Sequence, residues 1–211
     1  MANLLKLRVC CRIKWILWIL LSIIMIMKAF GKFFGEVIKI TLISLLIILP
    51  VRYFVAQPFF VRGASMDPSF QNGDYVIVDE ISYRLRDPQR GDVVVFRVPR
   101  DNSQFLIKRV IGLPGETVEI RDGSVFIRES SESLPLKLTE PYLDGTFLTT
   151  GTVTAHLEAD EVFVLGDNRN ASYDSRQWGT LPLDKILGKA WLRAWPLGSF
   201  NFVGAPKYIS E

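Results

Sequence analysis

Phe105-Leu-Ile-Lys108-Arg109-Val-Ile-Gly-Leu-Pro114-Gly115-Glu-Thr117-Val-Glu-Ile-Arg-Asp122-Gly123-Ser124-Val-Phe-Ile-Arg128 is the stretch that decides the fold class. Short runs rich in β-branched and aromatic residues alternate with Pro-Gly and Asp-Gly, the residues of tight turns, so it reads as three strands in succession. The same texture extends outward in both directions. Tyr75-Val-Ile-Val, Asp92-Val-Val-Val-Phe-Arg-Val and Glu161-Val-Phe-Val-Leu are further strands, and Asn72-Gly73 is another turn signal. Between Arg128 and Gly151 the chain is rich in Ser, Thr and Pro, which predicts a long excursion or flap. No internal repeat interrupts the pattern. From residue 58 onward the expected domain is mostly β and antiparallel, with helix confined to the N-terminus.

That N-terminus has a different character. The chain has 211 residues, 49% of them hydrophobic, room for one domain of ordinary size and a membrane anchor. The net charge of +3 calls for no nucleic acid. Its basic residues are unevenly placed: Lys6, Arg8, Arg12, Lys14, Lys28, Lys32 and Lys39 crowd the first segment, where Glu36 is the only acid. Such a segment suits the anionic cytoplasmic face of a membrane. Val37 to Gln57 is long enough to span once Lys39 and Arg52 reach toward the two interfaces, and Tyr53, Phe54, Phe59 and Phe60 follow it as an aromatic belt. The predicted organisation is therefore a basic segment over 1–36, an anchor over 37–57 and an extracytoplasmic domain over 58–211. Trp15 to Met27, uncharged but short, is interfacial or a second span. One span is favoured, because two would export Lys6, Arg8, Arg12 and Lys14. Met27 heads a short basic lead-in that would serve as an alternative start.

Three clusters carry residues of chemical interest. Val61-Arg-Gly-Ala-Ser65-Met66-Asp-Pro68-Ser69 puts a serine just beyond the anchor, although a serine before Met-Asp-Pro is more often a turn residue than a nucleophile. In the strand around Lys108, the lysine shares a face with Leu106 and Val110 while Arg109 points the other way. A lysine on an apolar face loses solvation, which lowers its pKa and frees the amine to accept a proton; the bland alternative is an edge-strand lysine reaching water. Gly166-Asp-Asn-Arg-Asn-Ala-Ser172-Tyr-Asp174-Ser175-Arg176 packs short polar and charged residues at a strand end. Asp174 and Arg176 are placed to pair, and a serine hydroxyl to steady a neutral amine, though Gly166-Asp-Asn alone implies only a structural loop. Cys10 and Cys11 match no metal motif, and His156, the single histidine, reads as a surface or strand residue.

Taken together, the ordered motifs resemble bacterial signal peptidase I, from about Val37 to about Phe202. The resemblance rests on Gln57-Pro-Phe, Ser65-Met66-x-Pro68, Arg90-Gly-Asp-Val-Val-Val-Phe, Lys108-Arg109-Val-Ile-Gly-Leu-Pro-Gly and Gly166-Asp-Asn-Arg-x-x-Ser172-x-Asp174-Ser175-Arg176. It implies a catalytic domain of two antiparallel β-sheets behind an N-terminal transmembrane helix. It also implies a serine endopeptidase with Ser65 as nucleophile, Lys108 as general base, Ser172 hydrogen-bonded to that lysine, and Asp174 with Arg176 as a structural ion pair. The Ser65 backbone N–H would be one oxyanion donor; the serine that supplies a second in many members is Gly63 here. Met66 and Ile107, with Phe59, Val61 and Phe70 nearby, would line a shallow pocket for the residue before the cut, matching the A-x-A rule of leader peptides. The partners so implied are signal-peptide-bearing preproteins and membrane lipid, with no cofactor, no metal and no nucleic acid. The implied location is the bacterial cytoplasmic membrane, catalytic domain outward.

Rival readings fit less well. A cytosolic self-cleaving repressor of Ser/Lys type would carry a helix-turn-helix where this chain has an anchor. A β module that binds exported chains without cutting would lack Ser65 or Lys108. The reticulum-type eukaryotic relative would have His in place of Lys108, while specialised conjugation-system cousins stay compatible with the sequence.

Overall fold

The computed structural model describes residues 25, 27–28, 30–50, 56–99, 101–130, 132–143, 148–206 and 208. The chain divides into two units, Met1–Val51 and Arg52–Glu211. In the first, helix α1 (Phe30–Pro50) has 21 residues and is apolar enough to cross a membrane. At ~1.5 Å per residue it matches the hydrocarbon thickness of a bilayer. Its side chains lie exposed, and the Thr41 hydroxyl donates back to Val37 O (2.8 Å), so that this polar group is met within the helix. The anchor was expected over 37–57; among the described residues the apolar helix covers Phe30–Pro50, and Ala56 and Gln57 belong to a strand. Tyr53, Phe54, Cys10, Cys11 and nearly all of Trp15 to Met27 lie outside the described residues.

The second unit is built on strands β1 (Ala56–Phe60), β2 (Tyr75–Asp79), β3 (Val93–Val98), β4 (Asp101–Gly112), β5 (Thr117–Arg121), β6 (Ser124–Arg128), β7 (Leu136–Lys137), β8 (Val153–His156), β9 (Glu161–Leu165), β10 (Leu181–Pro182), β11 (Ile186–Trp195) and β12 (Asn201–Phe202). Two antiparallel sheets result. The larger runs β1-β2-β11-β3-β4-β9-β10 with β12 beside β11, and the smaller runs β7-β6-β5-β8. Helix is not confined to the N-terminus as expected: α2 (Ser82–Leu85) and α3 (Ser175–Trp178) are single turns set in loops.

Side-chain alternation explains how the strands are covered. In β5 and β6 only Val118, Ile120, Val125 and Ile127 are buried, the one-sided pattern of a sheet with a wet face. In β3 both faces are buried. Val93 and Val95 join Val61, Met66, Phe70, Val76 and Val78 on one side, and Val94 and Phe96 join Val110, Val162, Val164 and Trp178 on the other. A third apolar cluster, around Ile111, Leu157, Phe163 and Leu165, joins the ends of β4 and β9 to the smaller sheet. The strand read over Phe105 to Ile111 thus sits in the middle of the unit as part of β4, positioned against β3 on one side and β9 on the other.

Candidate active site

The loop from Val61 to Asp74 joins β1 to β2 and carries Ser65. It is closed on itself by Val61 N–H to Asp74 O (2.9 Å), Gly73 N–H to Val61 O (3.0 Å) and Phe70 N–H to Met66 O (2.8 Å). Gly63 has φ +90°, a conformation that a side chain strains, and its N–H donates to Asn72 Oδ1 (2.9 Å). Met66 and Phe70 anchor the loop in the apolar core beneath it.

Lys108 comes from β4 and reaches this loop. Its Nζ lies 2.7 Å from Ser65 Oγ and 2.9 Å from Ile107 O, and the residue is only 1% exposed. Burial pushes its pKa down from 10.5 to about 8, despite the opposing pull of the Asp174 and Asp167 carboxylates. When the amine is neutral, the same short contact has the Ser65 hydroxyl donating to nitrogen. A hydroxyl hydrogen-bonded to a base of this strength is the arrangement that activates a serine nucleophile.

The loop after β9 closes the third side. Asp174 pairs with Arg176 through two bonds (Nε to Oδ1 2.8 Å, Nη2 to Oδ2 2.9 Å), accepts Gly166 N–H (3.1 Å) and caps α3. The predicted ion pair is therefore formed, and it is buried. Gly166 is required for close approach, because a Cβ there would overlap Ser172 and the Ser65 carbonyl. The expected hydrogen bond from Ser172 to Lys108 is corrected: Ser172 Oγ is buried but has no partner among the described residues, and Lys108 Nζ donates to Ile107 O instead. A β-strand lysine curls back onto its neighbour's carbonyl at no cost in chain length, which sequence spacing does not reveal.

Residues to which the sequence assigned no role also build the site. Arg109 makes a bidentate pair with Asp167 (2.8 and 2.6 Å), donates to Gly91 O (2.9 Å) and Ser69 Oγ (3.3 Å), and lies over the Tyr142 ring at 4.0 Å. Buried Arg169 donates to Gly166 O (3.1 Å) and also holds Glu140, Tyr142 and Thr149 of the excursion. The signal was present in the sequence: four charged residues at one apolar strand end must be paired if the strand end is buried.

A cleft of about 130 Å³ opens beside Ser65 and Lys108, walled by Phe59, Val61 and Ile107 and by Phe105, whose ring packs on Phe59 at 5.5 Å. Met66 and Phe70 are core residues behind this wall rather than part of its surface. His156 is exposed on β8, beside Thr117, and no cluster of metal ligands occurs among the described residues.

The chain is similar in sequence to known proteins. The family model described as signal peptidase, peptidase S26, matches residues 34–195. A Synechocystis sp. protein named probable signal peptidase I-1 is 38% identical over 192 residues, which cover 85% of this chain and 94% of that one. Signal peptidase I of Leptolyngbya laminosa is 38% identical over 180 residues, covering 81% and 84% of the two chains. Signal peptidase IB of Staphylococcus aureus is 32% identical over 171 residues, covering 76% and 88%. The chain accordingly belongs to the signal peptidase family, peptidase S26, and is a serine endopeptidase.

Proposed function

We propose that the chain removes N-terminal signal peptides from exported proteins, cutting after small residues of A-x-A type with Ser65 as nucleophile and Lys108 as general base. The observation that carries this reading is the 2.7 Å contact between Lys108 Nζ and Ser65 Oγ, with the lysine buried and its pKa lowered to about 8. Neutral Lys108 takes the hydroxyl proton as Ser65 Oγ adds to the scissile carbonyl. The ammonium then returns that proton to the departing amine, leaving an acyl-enzyme, and a water activated by the same amine releases the acid. The Ser65 N–H faces the oxyanion. The apolar walls of the cleft favour alanine over bulky or charged residues.

Helix α1 is the proposed anchor in the bacterial cytoplasmic membrane, with the basic N-terminal segment inside and Arg52–Glu211 outside. Exposed Trp191, Trp195, Leu197, Phe200 and Phe202, gathered around β11 and β12, support contact of the catalytic unit with lipid. The test is cleavage of an A-x-A leader substrate by detergent-solubilised protein. Processing at the alanine that disappears in Ser65→Ala and Lys108→Ala is expected. Undiminished processing by either variant would overturn the dyad. Protease protection of spheroplasts bearing a tag at residue 1 tests orientation: digestion from outside would establish an external N-terminus and refute a single span.

A further inference from the structure

We infer that Asn168 is a positioning residue that aims the oxyanion donor of Ser65, an inference that rests on Ser65 being the nucleophile. Asn168 is the point at which the loop after β9 grips the nucleophile loop. Its side-chain Nδ2 donates to Ala64 O (3.0 Å), its backbone N–H donates to Ser65 O (3.1 Å), and its Oδ1 accepts Ala171 N–H (3.2 Å). One residue thus holds the carbonyls on both sides of Ser65.

The consequence follows from peptide geometry. The Ala64–Ser65 peptide is trans, so the C=O of Ala64 and the N–H of Ser65 point in opposite directions within one plane. Fixing the carbonyl fixes the donor. The other bond to Ala64 O comes from Asp67 N–H at 3.2 Å, within the same loop, and moves with it. Asn168 instead refers the peptide plane to β9, whose Val164 and Leu165 are fully buried. The Ser65 N–H itself has no protein acceptor among the described residues, which leaves it available to substrate.

Gly63 makes this alignment matter more. It has no side-chain donor to share the developing charge, so the direction of a single backbone N–H carries the stabilisation. An oxyanion donor is worth up to ~10²–10³-fold in kcat, and misaiming rather than deleting it should cost on the order of 10- to 100-fold.

Asn168→Asp keeps the shape and the acceptor for Ala171 N–H but places an oxygen against Ala64 O, and Asn168→Ala removes both bonds. Both are assayed in the solubilised full-length chain above the titration of Lys108, so that a new carboxylate cannot act through the base. Expected for both are a kcat lowered about 10- to 100-fold and a KM within about twofold. Affinity for a peptide aldehyde ending in Ala-x-alaninal, which forms a tetrahedral adduct on the serine, should fall in parallel with kcat, at an unchanged melting temperature. Wild-type kcat in Asn168→Asp, a kcat loss without loss of aldehyde affinity, or unfolding of both variants would each overturn the proposal. Ser65→Ala in the same assay separates the two ideas. If it is inactive while Asn168→Asp runs at full rate, only the clamp falls; if it still cleaves, the reading of Ser65 falls.

Discussion

Lys108 and Arg109 are neighbours on β4 that point to opposite faces and are both buried, yet their charges are treated in opposite ways. Among the described residues Lys108 bonds only neutral oxygens, those of Ser65 and Ile107, and burial drives its pKa down to about 8. Arg109 suffers the same desolvation, but the directly bonded Asp167 more than offsets it and the guanidinium pKa is raised. Burial alone therefore does not lower a cation's pKa. Among the described residues it does so where no carboxylate lies at hydrogen-bonding distance and the side chain can lose its proton. In the proposed mechanism one face of the strand is the reactive site and the other is its fastening.

The largest expected effect comes from making the reactive face resemble the fastening. Lys108→Arg keeps a cation there that cannot be deprotonated, and Lys108→Ala removes the base. Each should lower single-turnover cleavage of a leader substrate by ~10⁴-fold or more, as should Ser65→Ala, because the pair acts as a unit. Measurable turnover within a factor of ten of wild type would break the comparison.

The converse change removes the carboxylate from the other face. Asp167→Asn leaves Arg109 buried without its counter-charge and should cost about 3–5 kcal/mol in denaturant unfolding. Because the Asp167 field also raises the Lys108 pKa, the same variant should move the activity midpoint to lower pH. Wild-type activity should rise with pH along one ionisation near 8, as neutral amine accumulates. A midpoint at the free-lysine value would show that burial is not the cause.

A smaller effect sharpens the cost of the reactive face. Since the folded-state pKa of Lys108 lies below its unfolded value, folding is opposed while the lysine is charged, and stability rises as pH climbs from about 8 to 10.5. Lys108→Met should thus stabilise the chain at pH 7 by roughly 3 kcal/mol at most, a gain that shrinks across that window in thermal melts. Smallest of all is Ser172→Ala. Its hydroxyl bonds neither Lys108 nor any other group among the described residues, so the change should lower kcat only several-fold and leave the pH midpoint in place. A drop as deep as that of Ser65→Ala would mean that Ser172 handles the proton.

Residue patterns alone determined the strands whose apolar alternation is strong and whose ends carry Gly, Pro or Asn turns, such as β5 and β9. They also determined the presence of an apolar span near the N-terminus and the pairing of Asp174 with Arg176, because these rest on local periodicity and short-range spacing. Tertiary structure decided the rest. Strand β11, central between β2 and β3, was hard to read because two of its three buried positions, Gly188 and Ala190, carry little or no side chain, so its apolar alternation is weak. The partner of Lys108, the role of Asp167 and the grip of Asn168 on Ala64 likewise join residues far apart in the chain. Their interaction depends on which strands become neighbours in the sheet, and that is set by burial of the whole core rather than by any window of sequence.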